Sequence, residues 1–449
     1  MLDREGFGGI VDRLLDGRYR FLTEIARGAI GAVWRAEDLA TGDVVAVKIL
    51  HTTAAEQPDL VDAFLAEAEI LAELDHPSVI RSRNFVPQDT QHALVMDLVD
   101  GEDLRRRVRR DGPLAPAAAV DIVAQVAGAL AYLHRQGVVH GDVKPANLLF
   151  SAGEGLVRLA DFGTARRIAA AVAVDDPAGA EGEAAVVQAT PEYVAPEVVA
   201  GELPTPAADV YALGIVLFEL LCGRSPYRGG SLFDVLARHE SCFPVPPPGL
   251  PSLLWPLIEG CMALDPADRP TATAVGKRLA DVESGLADLP ALASLDPDEL
   301  TWWLRSPGPA SGVASVDRQV TWVPVHAAPV SPAGGYTGLM VAIPTGEAER
   351  NPAMAAHLEA LRAAEGHPTG LSSVVGAWPV SALRGARSAR AARLASRYSA
   401  RSAPPARQVP PQASSLMPHG GSTEWPSLPT SGKPSSPSGG SSGGSRRRR

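Results

Sequence analysis

The stretch VVHGDVKPANLLF, from Val138 to Phe150, places polar side chains at fixed offsets within an otherwise apolar segment. Asp142, Lys144 and Asn147 lie between runs of Val and Leu that are typical of short buried strands. Each polar group suits one part of a group-transfer reaction. A carboxylate can orient an attacking hydroxyl or accept its proton, an ammonium can neutralise transferred charge, and an amide oxygen can bind a metal ion.

A second acidic residue follows at a short distance along the chain. Nineteen residues after Asp142, the sequence LADFGTA places Asp161 directly after an apolar strand. Magnesium prefers carboxylate and amide oxygens together with phosphate oxygens. Asn147 and Asp161 therefore indicate a metal pair, and the set supplies parts that phosphoryl transfer requires.

Upstream of this stretch, the chain offers features that suit phosphate binding. In IARGAIGAV, from Ile25 to Val33, two glycines separate strand-like segments, and glycine lets backbone N–H groups approach phosphate oxygens. In VVAVKIL, Lys48 lies within an apolar strand. Glu67 lies nineteen residues on, in a helix predicted from Pro58 to Leu74, and could pair with the buried Lys48 ammonium.

These motifs occur in the order found in one family. From about Tyr19 to Val282, the chain resembles the eukaryotic-type protein kinase catalytic domain, in particular the bacterial Hanks-type Ser/Thr kinases. The resemblance implies an α+β, bilobal protein kinase fold, with a small β-rich N-lobe carrying one main helix and a larger helical C-lobe. The matching segments are the glycine-rich loop, Ala46–Lys48, Glu67, a hinge at Met96–Gly101, His140–Asn147, Asp161–Gly163, Ala195–Glu197 and Asp209, with Arg269 expected to pair with Glu197.

The resemblance also implies a role for each matching residue. Asp142 is expected to be the catalytic base, assisted by Lys144, with Thr190 helping to bind a Ser or Thr acceptor. Asn147 and Asp161 are expected to bind Mg²⁺, and Lys48, held by Glu67, to contact the ATP phosphates. The remaining nucleotide-binding residues implied are Ile25, Gly28, Gly31, Val33, Ala46, Met96, Asp97, Val99 and Leu149. Leu71, His140 and Phe162 are expected to stack into an internal column linking the lobes.

The sequence departs from the family pattern at two positions. Ala26 replaces the first glycine of the loop, and its methyl group restricts φ. Gly141 replaces the Arg that, in relatives, meets a phosphorylated activation-loop residue. From Ala165 to Ala189 the chain contains no Ser, Thr or Tyr. We therefore expect activity that does not depend on activation-loop phosphorylation.

Composition bounds the remaining possibilities. The net charge is −10, but residues 381–449 carry twelve Lys and Arg against one Glu. The three cysteines have no metal-ligand spacing and indicate buried thiols in a reducing compartment. We see no signal peptide and no transmembrane segment, so a cytoplasmic location is expected.

We divide the chain into a leader (1–18), the catalytic domain (19–282), a poorly defined region (283–380) and a basic tail (381–449). Three smaller elements are expected beyond the catalytic domain: a short helix at Asp298–Leu304, a strand at Gln319–Val325 and a helix at Pro352–Glu365. The tail is rich in Ser, Pro and Gly and is expected to be disordered.

The tail also contains arginines every three or four residues, which on a helix would form one basic stripe. Self-contact with the acidic body is favoured over nucleic acid or a membrane surface as its target. Arg393-Leu394-Ala395-Ser396 is an Arg-x-x-Ser sequence, which makes Ser396 a candidate autophosphorylation site.

The sequence favours a Ser/Thr protein kinase that uses ATP and Mg²⁺ on protein substrates, including basic ones. Ala26 and Gly141 leave open a pseudokinase scaffold, although Lys48, Asp142, Asn147 and Asp161 argue against it. An adaptor acting through the basic tail is a second alternative. A small-molecule kinase of the same fold is disfavoured by Ala195–Glu197 and Thr190.

Overall fold

The structure is a computed structural model. It describes residues 14–28, 31–50, 58–87, 92–168, 187–296, 298–304, 320–324, 340–344 and 384–402. All of these residues belong to one compact unit, residues 1–403.

An antiparallel sheet of six strands forms the N-lobe, in the order β1-β2-β3-β4-β6-β5. Its strands are β1 (Leu14–Leu15), β2 (Tyr19–Arg27), β3 (Gly31–Asp38), β4 (Val44–Leu50), β5 (Ser82–Val86) and β6 (Ala93–Asp97). Along β4 the side chains alternate between two faces. Val45, Val47 and Ile49 pack into the outer core of this sheet, which leaves Ala46 and Lys48 on the opposite face. The sheet begins inside the segment predicted to be a leader, because β1 pairs with β2.

One long helix, α1 (Pro58–Glu73), packs beside this sheet and confirms the predicted helix to within one residue. Its apolar side chains Phe64, Leu65, Ala68 and Leu71 are all buried. The same helix carries Glu67 toward the face of the sheet that holds Lys48.

The C-lobe is helical, as predicted. Its helices are α2 (Leu104–Asp111), α3 (Pro116–Arg135), α4 (Pro196–Val199), α5 (Pro206–Cys222), α6 (Leu232–Ser241), α7 (Trp255–Cys261) and α8 (Ala272–Val282). The apolar segment Asp209–Leu221 lies within α5, which is buried along nearly its whole length. Gly223 ends α5 in the left-handed conformation, with φ of 82°, and its N–H donates to Glu219.

By length and composition, α3 could cross a membrane, and it is the one helix among the described residues that could. Its apolar side chains, including Val123, Val126 and Leu130, are instead buried in the main hydrophobic core. The apolar character of α3 is therefore that of a core helix.

Short strands lie within and beside the segment Val138–Phe150. They are β7 (Glu102–Asp103), β8 (Val138–Val139), β9 (Leu148–Ser151), β10 (Leu156–Leu159) and β11 (Arg166–Arg167). β9 and β10 form an antiparallel hairpin in which Leu148 pairs with Leu159. β8 pairs with β11, so the polar residues between β8 and β9 are held at both ends.

Four further strands follow β11 along the chain: β12 (Val187–Ala189), β13 (Cys242–Pro244), β14 (Trp302–Leu304) and β15 (Val320–Pro324). Of these, β14 and β15 lie after the predicted catalytic domain. The helix predicted at Asp298–Leu304 is wrong, because β14 pairs with the edge of β13. The strand predicted at Gln319–Val325 is confirmed as β15. A last strand, β16 (Met340–Pro344), pairs with both β15 and β12. The helix predicted at Pro352–Glu365 lies outside the described residues.

The expected disorder of the tail is wrong for one segment. Residues Arg384–Ser402 form a helix, α9. Ala391, Leu394 and Tyr398 give this arginine-rich helix an apolar side, and all three are buried in the main core. Burial of these side chains offsets the ordering entropy that a polar, Ser/Pro/Gly-rich composition could not offset. Residues 403–449 lie outside the described residues.

Candidate active site

A compact hydrogen-bonded group surrounds Asp142. The Thr190 hydroxyl donates to Asp142 Oδ1 at 2.6 Å, and Lys144 Nζ donates to Asp142 Oδ2 at 2.5 Å and to Thr190 Oγ1 at 2.8 Å. Asn147 Nδ2 donates to the backbone oxygen of Asp142 at 2.8 Å and to Oδ2 at 3.1 Å. Residues separated by 48 positions thus meet in one cluster, and Asp142 and Thr190 are both buried. Thr190 lies where the resemblance implies.

The backbone before Asp142 is anchored to α5 through Asp209. This buried carboxylate accepts hydrogen bonds from the backbone N–H groups of His140 and Gly141, at 2.9 and 2.8 Å, and contacts His134 Nε2 at 2.9 Å. Hydrogen bonds from N–H groups to a carboxylate are stronger than those between neutral groups. Asp209 therefore fixes the position of the loop that precedes Asp142. The sequence marked Asp209 as a motif residue but did not reveal these contacts.

The local backbone conformation explains why glycine occupies position 141. Its φ is +79°, in the left-handed region that favours glycine. A Cβ at this position would lie 3.2 Å from the Thr164 backbone oxygen. The Thr164 hydroxyl itself donates to the His140 backbone oxygen at 3.1 Å. Glycine thus suits both the backbone conformation and the close approach of the segment after Asp161.

The β9–β10 hairpin brings the two predicted metal ligands to the same edge. Asn147 immediately precedes β9, and Asp161 is separated from the end of β10 by Ala160. The Ala160 N–H donates to the Asn147 backbone oxygen at 2.9 Å. Asp161 has a φ of +63°, which is uncommon for a residue other than glycine and often occurs at functional sites. The positive charge of Lys48 lowers the pKa of Asp161, so this carboxylate is ionised at neutral pH.

Lys48 joins the two lobes of the site. Its Nζ lies 2.8 Å from both Glu67 carboxylate oxygens and 2.9 Å from Asp161 Oδ1. The predicted Lys48–Glu67 pair is therefore confirmed. Burial would lower the pKa of Lys48, but Asp161 and Glu67 together outweigh it and raise that pKa above its ordinary value. Burial raises the pKa of Glu67, which the Lys48 charge opposes.

The glycine-rich loop connects β2 to β3. The Gly28 N–H donates to the Gly31 backbone oxygen at 2.8 Å, and residues 29–30 between them lie outside the described residues. A Cβ on Gly31 would lie 2.2 Å from the Ile49 backbone oxygen, whereas the nearest non-neighbouring atom to a Cβ on Gly28, among the described residues, is the Gly31 backbone oxygen at 3.7 Å. Gly31 is thus required by packing against β4. Ala26 lies in β2 paired with Val33, next to a bulge.

The residues predicted to bind adenine lie at the junction of the lobes. Ala46 on β4 pairs with Met96 on β6, and both are buried; Val33 on β3 pairs with Lys48. The Asp97 N–H donates to the Arg81 backbone oxygen at 2.9 Å, so it is the Asp97 carbonyl that could accept a hydrogen bond from a base. The other three residues of the set are Ile25, which is 42% exposed, and Val99 and Leu149, which are partly buried.

The site fits magnesium bound together with ATP. Asn147 and Asp161 offer an amide and an ionised carboxylate on one edge, which are oxygen donors of the kind Mg²⁺ prefers. Among the described residues, no group of three or more His, Cys, Asp or Glu side chains could hold a metal ion by itself. Two protein ligands suit an ion that completes its coordination with phosphate oxygens and water.

Two further contacts predicted from the sequence are present. His140 and Phe162 pack edge to face with ring centroids 4.8 Å apart, and Leu71 lies with Phe162 in the same buried core. Burial lowers the pKa of His140, which keeps its ring neutral at neutral pH. Arg269 donates to both carboxylate oxygens of Glu197 at 2.7 Å, as expected. The sequence did not reveal that Arg390 and Tyr398 of α9 contact α1, the helix that carries Glu67.

Comparisons with known proteins agree with this geometry. A family model described as the protein kinase domain matches residues 19–278. The chain is 40% identical over 311 residues to the serine/threonine-protein kinase PkaA of Streptomyces coelicolor, covering 66% of this chain and 56% of the relative. It is 42% identical over 294 residues to PkaB of the same organism, covering 64% and 67% respectively.

PknA of Mycobacterium tuberculosis, also named a serine/threonine-protein kinase, is 36% identical over 261 residues, covering 57% of this chain and 58% of the relative. The chain thus spans between about half and two thirds of the length of these relatives. The family match covers more than half of this chain and contains the cluster around Asp142, the Lys48–Glu67 pair and Asp161. The chain belongs to the protein kinase family.

Proposed function

We propose that the chain is a Ser/Thr protein kinase that transfers the γ-phosphate of ATP to Ser or Thr hydroxyl groups of proteins. One observation carries the proposal: Asp142, Lys144 and Thr190 are hydrogen-bonded to one another in a chain that also holds Lys48 between Glu67 and Asp161. An intact Lys–Glu pair and a placed metal-binding Asp are both needed for phosphoryl transfer in this family. PkaA, PkaB and PknA are named as Ser/Thr kinases, which supports the same specificity here.

Each residue has a role in this proposal. Lys48 binds the α- and β-phosphates, and Glu67 keeps its ammonium directed toward them. Asp142 orients the substrate hydroxyl and takes its proton, while Lys144 places positive charge beside the oxygen that attacks. Thr190, through its bonds to both, fixes the position that an acceptor hydroxyl would share. Asn147 and Asp161 would hold Mg²⁺, which would supply positive charge beside the transferred phosphoryl group.

Adenine would lie between Val33 and Ala46 on one side and Leu149 on the other, near Met96. The Asp97 carbonyl and the Val99 backbone would bind the edge of the base, and Gly28 and Gly31 would cover the phosphates. These roles rest on the resemblance and on the placement of Ala46 and Lys48 on one face of β4. Substituting Ala46 by Leu should weaken ATP binding, because the larger side chain would occupy the space proposed for adenine.

The test of the proposal uses the full chain, labelled ATP, Mg²⁺ and a protein substrate mixture, beside the Asp142→Asn variant. We expect phosphate on Ser and Thr of the substrate with the wild type, and a loss of several orders of magnitude in the variant. Equal transfer by both proteins would contradict the proposal. ATP binding without transfer in either protein would favour the pseudokinase scaffold instead.

We further propose that activity does not require a phosphorylated activation loop. The hydroxyl of Thr164 is already bonded to the His140 backbone oxygen, and Gly141 offers no side chain to receive a phosphate. Residues 169–186 of this loop lie outside the described residues. Treatment with a phosphatase should leave the rate on an added substrate within about twofold. A large loss, restored by incubation with ATP before the assay, would refute this part of the proposal.

The cytoplasm is the location we propose. Cys222, Cys242 and Cys261 are buried free thiols, which suits a reducing compartment. Burial raises the pKa of Cys222 and of Cys261, to about 12 in the latter, so both stay protonated. Fractionation of cells that produce the chain should recover it with cytoplasmic markers; recovery with membranes would overturn this assignment. Binding of residues 381–449 to nucleic acid or to anionic membrane would appear as salt-sensitive association of the full chain.

A further inference from the structure

The helix α9 packs against the outer side of the N-lobe. It contacts α1 and the strand β5. Ala391, Leu394 and Tyr398 lie on one side of α9, at spacings of three and four residues, and each is about 1% exposed. These three side chains are as deeply buried as the C-lobe helices, so α9 belongs to the folded unit.

Charged and polar contacts fix how α9 lies on α1. Arg390 donates to both carboxylate oxygens of Glu69, at 2.8 and 2.7 Å, in the bidentate geometry that makes Arg pairs specific. Arg397 Nη1 lies 3.4 Å from Glu73 Oε1. The Tyr398 hydroxyl donates to the Ala68 backbone oxygen at 2.8 Å. The hydrogen bond from Arg390 lowers the pKa of Glu69, so the pair remains charged across the neutral range.

The contacts are matched in spacing on the two helices. Arg390 and Arg397 are seven residues apart, which places them on one side of α9 after two turns. Their acidic partners lie on α1, where Asp62, Glu69 and Glu73 share one side for the same reason. Asp62 is 3.8 Å from Arg390. This side of α1 is turned away from Glu67 by about 140° at 100° per residue. One face of α1 therefore meets α9 while the opposite face delivers Glu67 to Lys48.

Glu73 also links this contact to the segment after Asp161. Arg167, on β11, forms an ion pair with the same Glu73 carboxylate that Arg397 approaches. The end of α1 is thus held from two directions. The position of α1 decides whether Glu67 reaches Lys48, and α9 contacts α1 at both Ala68 and Glu69, the two residues that follow Glu67.

We propose that α9 is a built-in activating element, which binds α1 and holds it in the position where Glu67 pairs with Lys48. This inference rests on the proposed kinase activity and goes beyond it, because it assigns a regulatory role to a segment outside the catalytic domain. If α9 binds this position of α1 more tightly than any other, its binding shifts the population toward the paired state. By reciprocity, ligands that favour the paired state, ATP with Mg²⁺ among them, also strengthen the docking of α9.

A charge-reversal cycle in the full chain tests the proposal. Arg390→Glu and Glu69→Arg each place like charges opposite one another, and the double variant restores an opposite pair with the order reversed. We expect each single variant to lower kcat/KM on a protein substrate by on the order of 10-fold, the lower part of the usual range of coupling between sites. The double variant should recover most of that loss.

The matched control is Arg393→Glu. Arg393 lies on the same helix and is exposed. Its substitution by Glu changes the charge and the amino-acid composition of α9 in the same way as Arg390→Glu does. We expect Arg393→Glu to keep the wild-type rate. Equal rates for Arg390→Glu and Arg393→Glu, or a double variant no better than the single ones, would overturn the proposal.

Hydrogen exchange separates failure of this inference from failure of the proposed function. In the wild type, amides of α1 and α9 should be protected, and both should lose protection in Arg390→Glu and regain it in the double variant. If the wild type transfers no phosphate, the proposed function fails, and the exchange pattern still reports whether α9 holds α1. If the wild type is active and α1 protection is unchanged in Arg390→Glu, the inference alone fails.

Discussion

Thr190 donates a 2.6 Å hydrogen bond to the carboxylate of Asp142, across 48 residues of sequence. Its oxygen also accepts from Lys144 at 2.8 Å. The hydroxyl therefore links the two residues that act on the substrate hydroxyl in our proposal, and it does so from the segment that precedes α4.

The first prediction concerns the Thr190 hydroxyl. Thr190→Val keeps the shape of the side chain but removes both hydrogen bonds, so Asp142 and Lys144 lose their shared partner. We expect kcat to fall by on the order of 10²-fold, the range found when one positioned polar group is removed from an active site. Steady-state kinetics with a protein substrate would measure it. Thr190→Ser retains the hydroxyl and should recover most of the activity; a Ser variant as slow as the Val variant would contradict the role.

The second prediction concerns Gly28 and Gly31 of the glycine-rich loop. In Gly31→Ala the new Cβ would lie 2.2 Å from the Ile49 oxygen, so the β3–β4 pairing must shift. We expect a loss of about 1–3 kcal/mol, as for other overpacked sites. Thermal unfolding of the full chain should show a clear decrease in Tm for this variant. Gly28→Ala is the control, because within the described part of the chain its Cβ would come no closer than 3.7 Å to a non-neighbouring residue. Equal Tm values would count against the packing argument.

The third prediction concerns Glu192, which is buried near Glu219. Its Oε1 has no hydrogen-bond partner within the described part of the chain, while Glu219 accepts from the Tyr193 hydroxyl at 2.7 Å. Burial, with a smaller effect of the Glu219 charge, raises the pKa of Glu192 from 4.5 to about 7. The folded state thus keeps a proton that the unfolded state has released. This contribution is favourable below about pH 5 and is lost as the pH rises to 7 and above.

We therefore expect Glu192→Gln to gain stability relative to the wild type as the pH is raised from 5 to 8. The gain corresponds to roughly 3 kcal/mol if the full shift in pKa is realised. Urea unfolding of both proteins at the two pH values would measure the difference. A difference between the variants that is the same at pH 5 and pH 8 would show that Glu192 titrates normally.

The fourth prediction concerns Ser396, which lies on the exposed side of α9 within the Arg-x-x-Ser sequence. Leu394, in the middle of that sequence, is buried against the core. A kinase could bind this sequence as an extended peptide only after α9 leaves its site. We expect phosphorylation of Ser396 to be slow in the wild type and faster in Arg390→Glu, as measured by phosphopeptide mapping over time. Equal rates at Ser396 in the two proteins would argue against occlusion by docking.

Much of the site could be predicted because its residues are fixed by local spacing. Asp142, Lys144 and Asn147 lie within six residues, and the β9–β10 hairpin necessarily returns the chain to Asp161. The need of a buried ammonium for a partner indicated an acidic residue on α1, and the resemblance to protein kinases implied that this residue is Glu67. The first arguments use neighbours in sequence, whereas this one also uses the order of motifs in a known family.

The errors arose where the partner is distant. The stretch from Asp298 to Leu304 has a local pattern compatible with a helix. Its last three residues instead form the strand β14, because they pair with the edge of β13. Likewise, the composition of the tail suggested disorder, since three apolar residues among the arginines of α9 are a weak signal. Their importance depends on the acidic side of α1, some 320 residues earlier. Short-range patterns carry no information about such partners.

The strand β14 and its surroundings have a practical consequence. The backbone oxygen of Glu299 accepts from Arg224, the hydroxyl of Thr301 donates to the Pro226 oxygen, and Arg238 lies 5.0 Å above the ring of Trp302. The match to the protein kinase family model ends at residue 278, yet the C-lobe continues to use side chains well beyond it. A protein cut at that boundary would expose the edge of β13 and leave polar groups unmatched, which favours aggregation. The part of the chain that matches the family model is thus shorter than the part that packs together in the folded C-lobe.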